Sequence, residues 1–236
     1  MYTTIGQTLN HKKTSHISAR GLNIKKHFDY ENAYMLSAPV ERIGKLISRV
    51  ELFNKIKNIP GAIIECGVFK GSSLSQFVKL RALYGHSSSK KIIAFDTFGK
   101  FPEKCNIDDR KYLKSFLSEA GDQSIDENEL LEIFKQLGVD KNLDLIKGNI
   151  LKTLPKFIEK NKHLKISLLH IDVDTYDPTK ICLEILYPHV VKNGVIILDD
   201  YGAFPGANKA IDEFFKNKPN TIKTLPYSNN ISYVIK

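Results

Sequence analysis

AIIECGVFKGSS, residues 62–73, decides how the rest of the chain is read. Ala62 to Cys66 is a short apolar run broken by one acid, Glu65. Gly67 and Gly71 then bracket a turn, and Ser72 opens a helical pattern that continues to Tyr84. Strands buried on both faces read as continuous apolar runs rather than alternating ones, and parallel strands are of this kind. Strand, glycine turn and helix are therefore the first unit of a parallel α/β sheet.

The same unit recurs downstream. Lys91 to Phe95 predicts a second strand ending at Asp96, and Leu143 to Lys147 a third, followed by a helix over Leu151 to Lys162. Ile166 to Ile171 is a fourth strand, with a helix from about Pro178 to Tyr187. Val195 to Leu198 is a fifth, with a helix from about Ala207 to Phe215. Thr221 to Tyr227 and Ile231 to Ile235 read as a terminal hairpin. The expectation is a mostly parallel seven-stranded sheet with an antiparallel C-terminal hairpin strand and helices on both faces. Upstream, Pro39 to Ile59 is helical, with Ile43, Leu46, Ile47, Val50, Leu52, Phe53 and Ile56 broadly on one side. Residues 1–38 are polar and mixed and read as an arm, ordered on something else or disordered. Residues 39–236 read as one domain. Its segment 97–142 is longer than a crossover needs and contains an amphipathic helix, Glu127 to Leu137, the pattern of a lid-like insertion or an extra packing helix.

Composition narrows the class. The 236 residues carry 42% hydrophobic and 26% charged side chains, ordinary globular values. No apolar run is long enough to span a membrane, and Met1 to Asn10 lacks the start of a secretory signal. Three dispersed cysteines, Cys66, Cys105 and Cys182, fit reduced thiols in a cytoplasm. The net charge of +9 is spread along the chain. It fits plain solubility or an anionic partner, but no basic stripe interleaved with aromatics points to nucleic acid.

In an open parallel sheet, ligands bind outside the carboxyl ends of the strands. Glu65, Gly67, Gly71 and Ser72 form an ExGxxxG turn rather than the GxGxxG of a dinucleotide site. An acid there repels a pyrophosphate and suits a cationic amino group. Asp96 is placed to accept from a ribose diol, and Gly148 and Asn149 to frame an adenine edge. Together they describe an adenosine ligand carrying a positively charged amino acid, which fits S-adenosylmethionine. Asp172, Asp174, Asp199 and Asp200 crowd the ends of the fourth and fifth strands. Such a cluster needs protons or a cation, and all-oxygen ligands suit Mg²⁺, Ca²⁺ or Mn²⁺. Asp172, Asp199 and Asp200 read as metal ligands and Asp174 as the general base. His170 is expected to point into the fold, and Asp177 to cap the next helix.

Several of these stretches resemble the macrocin O-methyltransferase family. They are Ile59 to Gly71, Asp96-Thr97-Phe98, Leu169 to Tyr176, Gly194 to Gly202 and Ala210 to Phe215. The resemblance covers about residues 40–236. It implies a Rossmann-like class I methyltransferase fold, S-adenosylmethionine and Mg²⁺ as cofactors, and methylation of a sugar hydroxyl. It implies that Asp172, Asp199 and Asp200 bind metal, that Asp174 is the base, and that Glu65, Gly67, Ser72 and Asp96 bind the cofactor. The chain departs from the family at Phe69-Lys70, usually Trp-Arg, at Asn193-Gly194, usually Gly-Gly, and between Phe98 and Pro102. The expected acceptor is a small molecule or glycan, anionic in one reading, and the expected assembly a homo-oligomer. Two other readings stand beside it: a catechol-like acceptor, and a non-catalytic cofactor-binding partner in a glycan-modifying assembly.

Overall fold

The computed structural model describes residues 18–19, 22–102 and 109–236. Its elements begin with β1 (Ser18–Ala19), β2 (Leu22–Asn23), a 3-10 turn (Ile24–Lys26), α1 (His27–Ser37) and α2 (Val40–Ile56). Then come β3 (Ala62–Cys66), α3 (Ser72–Leu83), β4 (Ile92–Asp96), α4 (Arg110–Ala120), α5 (Glu127–Gln136), β5 (Leu143–Lys147) and α6 (Ile150–Lys160). The chain continues through β6 (Ile166–Ile171), α7 (Tyr176–Leu186), β7 (Val190–Leu198), α8 (Pro205–Phe215), β8 (Lys223–Leu225) and β9 (Ser228–Ile235).

β1 and β2 pair with each other, and the other strands form one sheet in the order β5-β4-β3-β6-β7-β9-β8. β3 through β7 run parallel. β9 is antiparallel to β7, and β8 to β9. This is the expected sheet, with one refinement: the second arm of the hairpin pairs with the parallel strands and the first forms the edge. The strand order reverses between β3 and β6, which opens a crevice at their carboxyl ends.

Alternation along each strand splits the core in two. Ile63, Ile92, Ala94, Leu168, Val195 and Ile197 face α2 and α3. Ile64, Ile93, Phe95, Leu169, Ile196 and Leu198 face α6, α7 and α8. α2 enters the first layer through Leu52, Phe53 and Ile56, all fully buried and stabilising the packing by about 1.5–3 kcal/mol each. Leu46 and Ile47 do not join them and stay exposed, so the helix faces the sheet along a different stripe from the one expected. That stripe is Lys45, Arg49, Leu52 and Ile56, at helical spacing, with two cations at its upper end.

Two further findings concern the arm and the insertion. Residues 27–37 form a helix, although none of them is buried and no core contact imposes an apolar period. In the insertion, Leu130 and Phe134 of α5 are buried in the first core layer. Cys66 and Cys182 are buried free thiols, and Cys105 lies outside the described residues. Among the described residues, no helix is long and apolar enough to cross a membrane.

One buried cation holds the far edge of the sheet. Arg81 of α3 is fully buried and donates to the carbonyls of Lys90, Val139, Lys141 and Asn142 at 2.5–3.2 Å. Those carbonyls lie at the entries to β4 and β5. Arg81→Met removes every donor and strands the carbonyls. We expect urea unfolding to show a loss of roughly 3 kcal/mol or more; an unchanged midpoint would contradict this role.

Candidate active site

β3 ends beneath the loop that leaves β6, and only glycine fits there. Gly67 has φ +91°, and a Cβ on it would lie 1.7 Å from the Asp172 carbonyl oxygen. The Gly67 N–H donates to Phe95 O at 2.9 Å, and the Asp172 N–H to Cys66 O at 2.8 Å. The turn is then fastened by Asp96: its Oδ2 accepts from the N–H groups of Val68 (2.8 Å) and Phe69 (3.0 Å), and its Oδ1 from Phe98 (2.8 Å). Gly71, at φ +86°, is the N-cap of α3. Asn149 caps α6 by accepting from the Leu151 N–H at 2.9 Å.

These elements enclose a cavity of about 740 Å³ at the strand ends. Gly67, Ser72, Asp96, Gly148, Asn149, Asp172, Asp174, Asp199 and Asp200 all line it. Gly71 and Glu65 do not. Glu65 lies behind the turn, fully buried, where it accepts from Ser73 Oγ and sits 3.5 Å from His170 Nδ1. A lone acid on an otherwise apolar buried strand has to find its partners inside the fold. Its second oxygen, Oε2, has none.

The carboxylates divide into two groups. Asp199 is held by cations: Lys45 Nζ at 2.5 Å, Arg49 at 3.1 Å and His170 Nε2 at 3.4 Å. Burial opposes its charge, but the His170 hydrogen bond and the Arg49 and Lys45 charges hold it well below the usual carboxylate range. Burial alone would lower the His170 pKa; its hydrogen bond to Asp199 and the nearby Glu65 carboxylate raise it to about 9. Asp172, Asp174 and Asp200 have no such cations in contact. Burial, then the charges of Asp199 and Asp200, push Asp172 up to about 8. Burial and neighbouring carboxylates raise Asp174 and Asp200 as well. One oxygen from each of Asp172, Asp174 and Asp200 lies within 4.8 Å of the others; His170, Asp172 and Asp199 make a second such group. Asp174 sits at φ +60°, and its N–H donates to Asp200 Oδ2 at 2.8 Å.

Asp109, from the insertion, holds this end together. α7 begins at Tyr176 rather than near Pro178, and neither its N-cap, Thr175, nor that of α8, Phe204, makes a side-chain cap bond. Asp109, fully buried, supplies both: Oδ2 accepts from the Tyr176 N–H at 3.1 Å and Oδ1 from the Gly206 N–H at 2.8 Å. Asp177 lies inside the first turn of α7, so the expected cap falls to a residue far away in sequence. Across the cavity mouth, Phe69, Phe116 of α4 and Phe204 form a chain of rings with centroids 5.6 and 6.1 Å apart.

His170, Lys45, Arg49 and Asp109 were not among the residues the sequence singled out. His170 does point into the fold as expected, yet it joins the site from inside. Parity was the available signal for it: Glu65 pairs with His170 in register, and Asp199 follows Ile197 on the same face.

A family described as Macrocin-O-methyltransferase (TylF) matches residues 30–226. The demethyldecarbamoylnovobiocin O-methyltransferase of Streptomyces niveus is 27% identical over 163 residues, covering 66% of this chain. The match spans 59% of that relative's own length. Among solved structures, the calicheamicin methyltransferase CalS11 is 25% identical with a TM-score of 0.68, covering 88% of this chain and 84% of that one. The O-methyltransferase NovP is 22% identical with a TM-score of 0.70, covering 82% and 80%.

Two outcomes follow from this electrostatic arrangement. The folded chain keeps a proton on His170 up to about pH 9, whereas an unfolded histidine releases it near 6.5. That stabilisation is complete below pH 6.5 and is lost as pH rises through 9. Asp172, raised to about 8, acts in the same direction. In EDTA, unfolding free energy should therefore fall between pH 6.5 and 9, by on the order of 3 kcal/mol from His170. A flat or rising profile would contradict the pairing. Separately, Asp109→Ala should cost roughly 2–4 kcal/mol in urea unfolding, because one buried and one part-buried N–H group lose their acceptor; Asp109→Asn, which keeps one oxygen, should lose less.

Proposed function

Because the chain belongs to the macrocin O-methyltransferase family, we propose that it is an S-adenosylmethionine-dependent, Mg²⁺-assisted O-methyltransferase. Its acceptor would be a sugar hydroxyl of a glycan, a nucleotide sugar or a glycosylated metabolite. The observation that carries this reading is one cavity in which the Gly67 turn meets the clustered acids Asp172, Asp174 and Asp200.

The residues fit both groups. Asp172 stands in both groups of close-set ligand atoms, one shared with Asp199 and the other with Asp174 and Asp200, and such oxygen donors are what a divalent ion takes up. The volume beside the turn suits an adenosine ligand, and Gly67, Gly71, Ser72, Asp96, Gly148 and Asn149 shape its walls and helix ends. Glu65 acts from behind the turn through Ser73 and His170. S-adenosylmethionine would supply a methyl on a positively charged sulfur, leaving as the neutral thioether S-adenosylhomocysteine, and Mg²⁺, which Asp172, Asp199 and Asp200 would hold, would supply charge that acidifies a neighbouring hydroxyl. Asp174 accepts the acceptor's proton on its carboxylate as the oxygen takes the methyl. Burial first, then the charges of Asp172 and Asp199, raise its pKa, which strengthens it as a proton acceptor. The rest of the rate would come from orientation, through the loops that Asp96 and Asp109 fasten.

The ring chain of Phe69, Phe116 and Phe204 favours a second reading, an acceptor with a catechol-like ring. Sugars and catechols offered side by side distinguish the two by turnover. The exposed Phe28, Met35 and Leu36 on α1 support the expected homo-oligomer.

The test is calorimetric titration of S-adenosylhomocysteine with Mg²⁺ and then with EDTA, followed by turnover assays. Binding is expected in both conditions, with turnover abolished by EDTA. Asp174→Asn should lower turnover by roughly 10²–10⁴ while S-adenosylhomocysteine affinity is retained. Failure of S-adenosylhomocysteine to bind in either condition would overturn the proposal.

A further inference from the structure

We propose that the groove between α1, α2 and α3 binds an anionic group of the acceptor, with the size and chemistry of a diphosphate. This rests on the methyl-transfer reading and names what the acceptor carries beyond its reacting hydroxyl.

The groove is a second cavity of about 600 Å³. Its walls hold Arg42, Lys45, Arg49 and Lys79, the hydroxyls of Tyr34 and Ser75, and no acidic residue. The neighbouring main cavity does carry acids, with Asp96, Asp172, Asp174, Asp177, Asp199 and Asp200 in its walls. Arg42, Lys45 and Arg49 line both, so the two spaces adjoin beside the carboxylate cluster.

The four cations do not have the same task. Lys45 and Arg49 are committed to Asp199. Arg42 and Lys79 are exposed and make no ion pair with any described residue. Two uncommitted cations, one on α2 and one on α3, therefore flank a groove that adjoins the cavity holding the proposed base. A guanidinium fork and an ammonium together with hydroxyl donors are the set that phosphate oxygens take up. The space exceeds what a single carboxylate fills. An acceptor whose sugar hydroxyl sits at Asp174 can extend its charged end here, away from the acids that would repel it.

The experiment is calorimetric titration of pyrophosphate, and then of UDP, into the full chain saturated with S-adenosylhomocysteine. EDTA is present, so that binding through a divalent ion is removed. Both probes should bind, and Arg42→Gln or Lys79→Gln should each weaken them by on the order of tenfold. Lys79→Arg, which keeps the charge, should restore affinity, and binding should weaken as salt rises. The groove is overturned as an acceptor site if neither probe binds, or if the Gln variants bind as the wild type does. It is also overturned if those variants lose S-adenosylhomocysteine, since the cations would then serve the cofactor's carboxylate. Pyrophosphate binding without S-adenosylhomocysteine binding in the wild type would support the anion groove and overturn the methyl-transfer reading instead.

Discussion

The arrangement depends on the charge pairing at Asp199. Strands β6 and β7 end in adjacent acids because the fold needs them at the mouth of the crevice, and buried carboxylates this close repel one another. α2 resolves one of them. Its lower half is apolar and fixes the helix on the sheet through Leu52, Phe53 and Ile56. Its upper half puts Lys45 and Arg49 on the same stripe, onto Asp199, while His170 reaches it from β6. Removing one partner of a buried pair costs about 3–5 kcal/mol, because the other charge stays behind. The position of α2 is thus set twice, by packing and by charge.

That pairing leaves an asymmetry which the chemistry can use. Asp199 is a fixed anion, whereas Asp172, Asp174 and Asp200 carry raised pKa values and share no cation in contact. Asp174 in addition sits in the left-handed region, a conformation that costs a non-glycine residue about 1–3 kcal/mol. It persists because its surroundings over-determine it: Asp200 accepts its N–H, and Asp109 grips Tyr176 two residues on.

Much of this was legible in the sequence, and the exceptions have physical reasons. The parallel strands announced themselves as unbroken apolar runs, and the glycine turn and acid-tipped ends placed the cavity. Strand ends, however, do not say which way a side chain turns, so Glu65 was expected in the cavity wall and lies behind it. Lys45 and Arg49 were hidden because the hydrophobic count on α2 favoured Leu46 and Ile47, which are exposed. α1 gave no period, since a helix that buries nothing has no apolar face to repeat. Asp109 carried no signal at all: its partners are Tyr176 and Gly206, far along the chain, and only the folded insertion brings them to it.

The insertion itself shows why lid and packing helix are not rival descriptions. α5 is anchored in the first core layer by Leu130 and Phe134, and Asp109 caps α7 and α8 from the other side of α4. Between these two attachments α4 has one buried residue, Leu113, and offers Phe116 to the rings of Phe69 and Phe204. A segment held at both ends and lightly packed in the middle keeps the loop carrying Asp174 in register while its central helix forms the roof of the cavity. Rigidity at Asp174 and adaptability over the cavity can therefore come from one connection, because they rest on different residues of it.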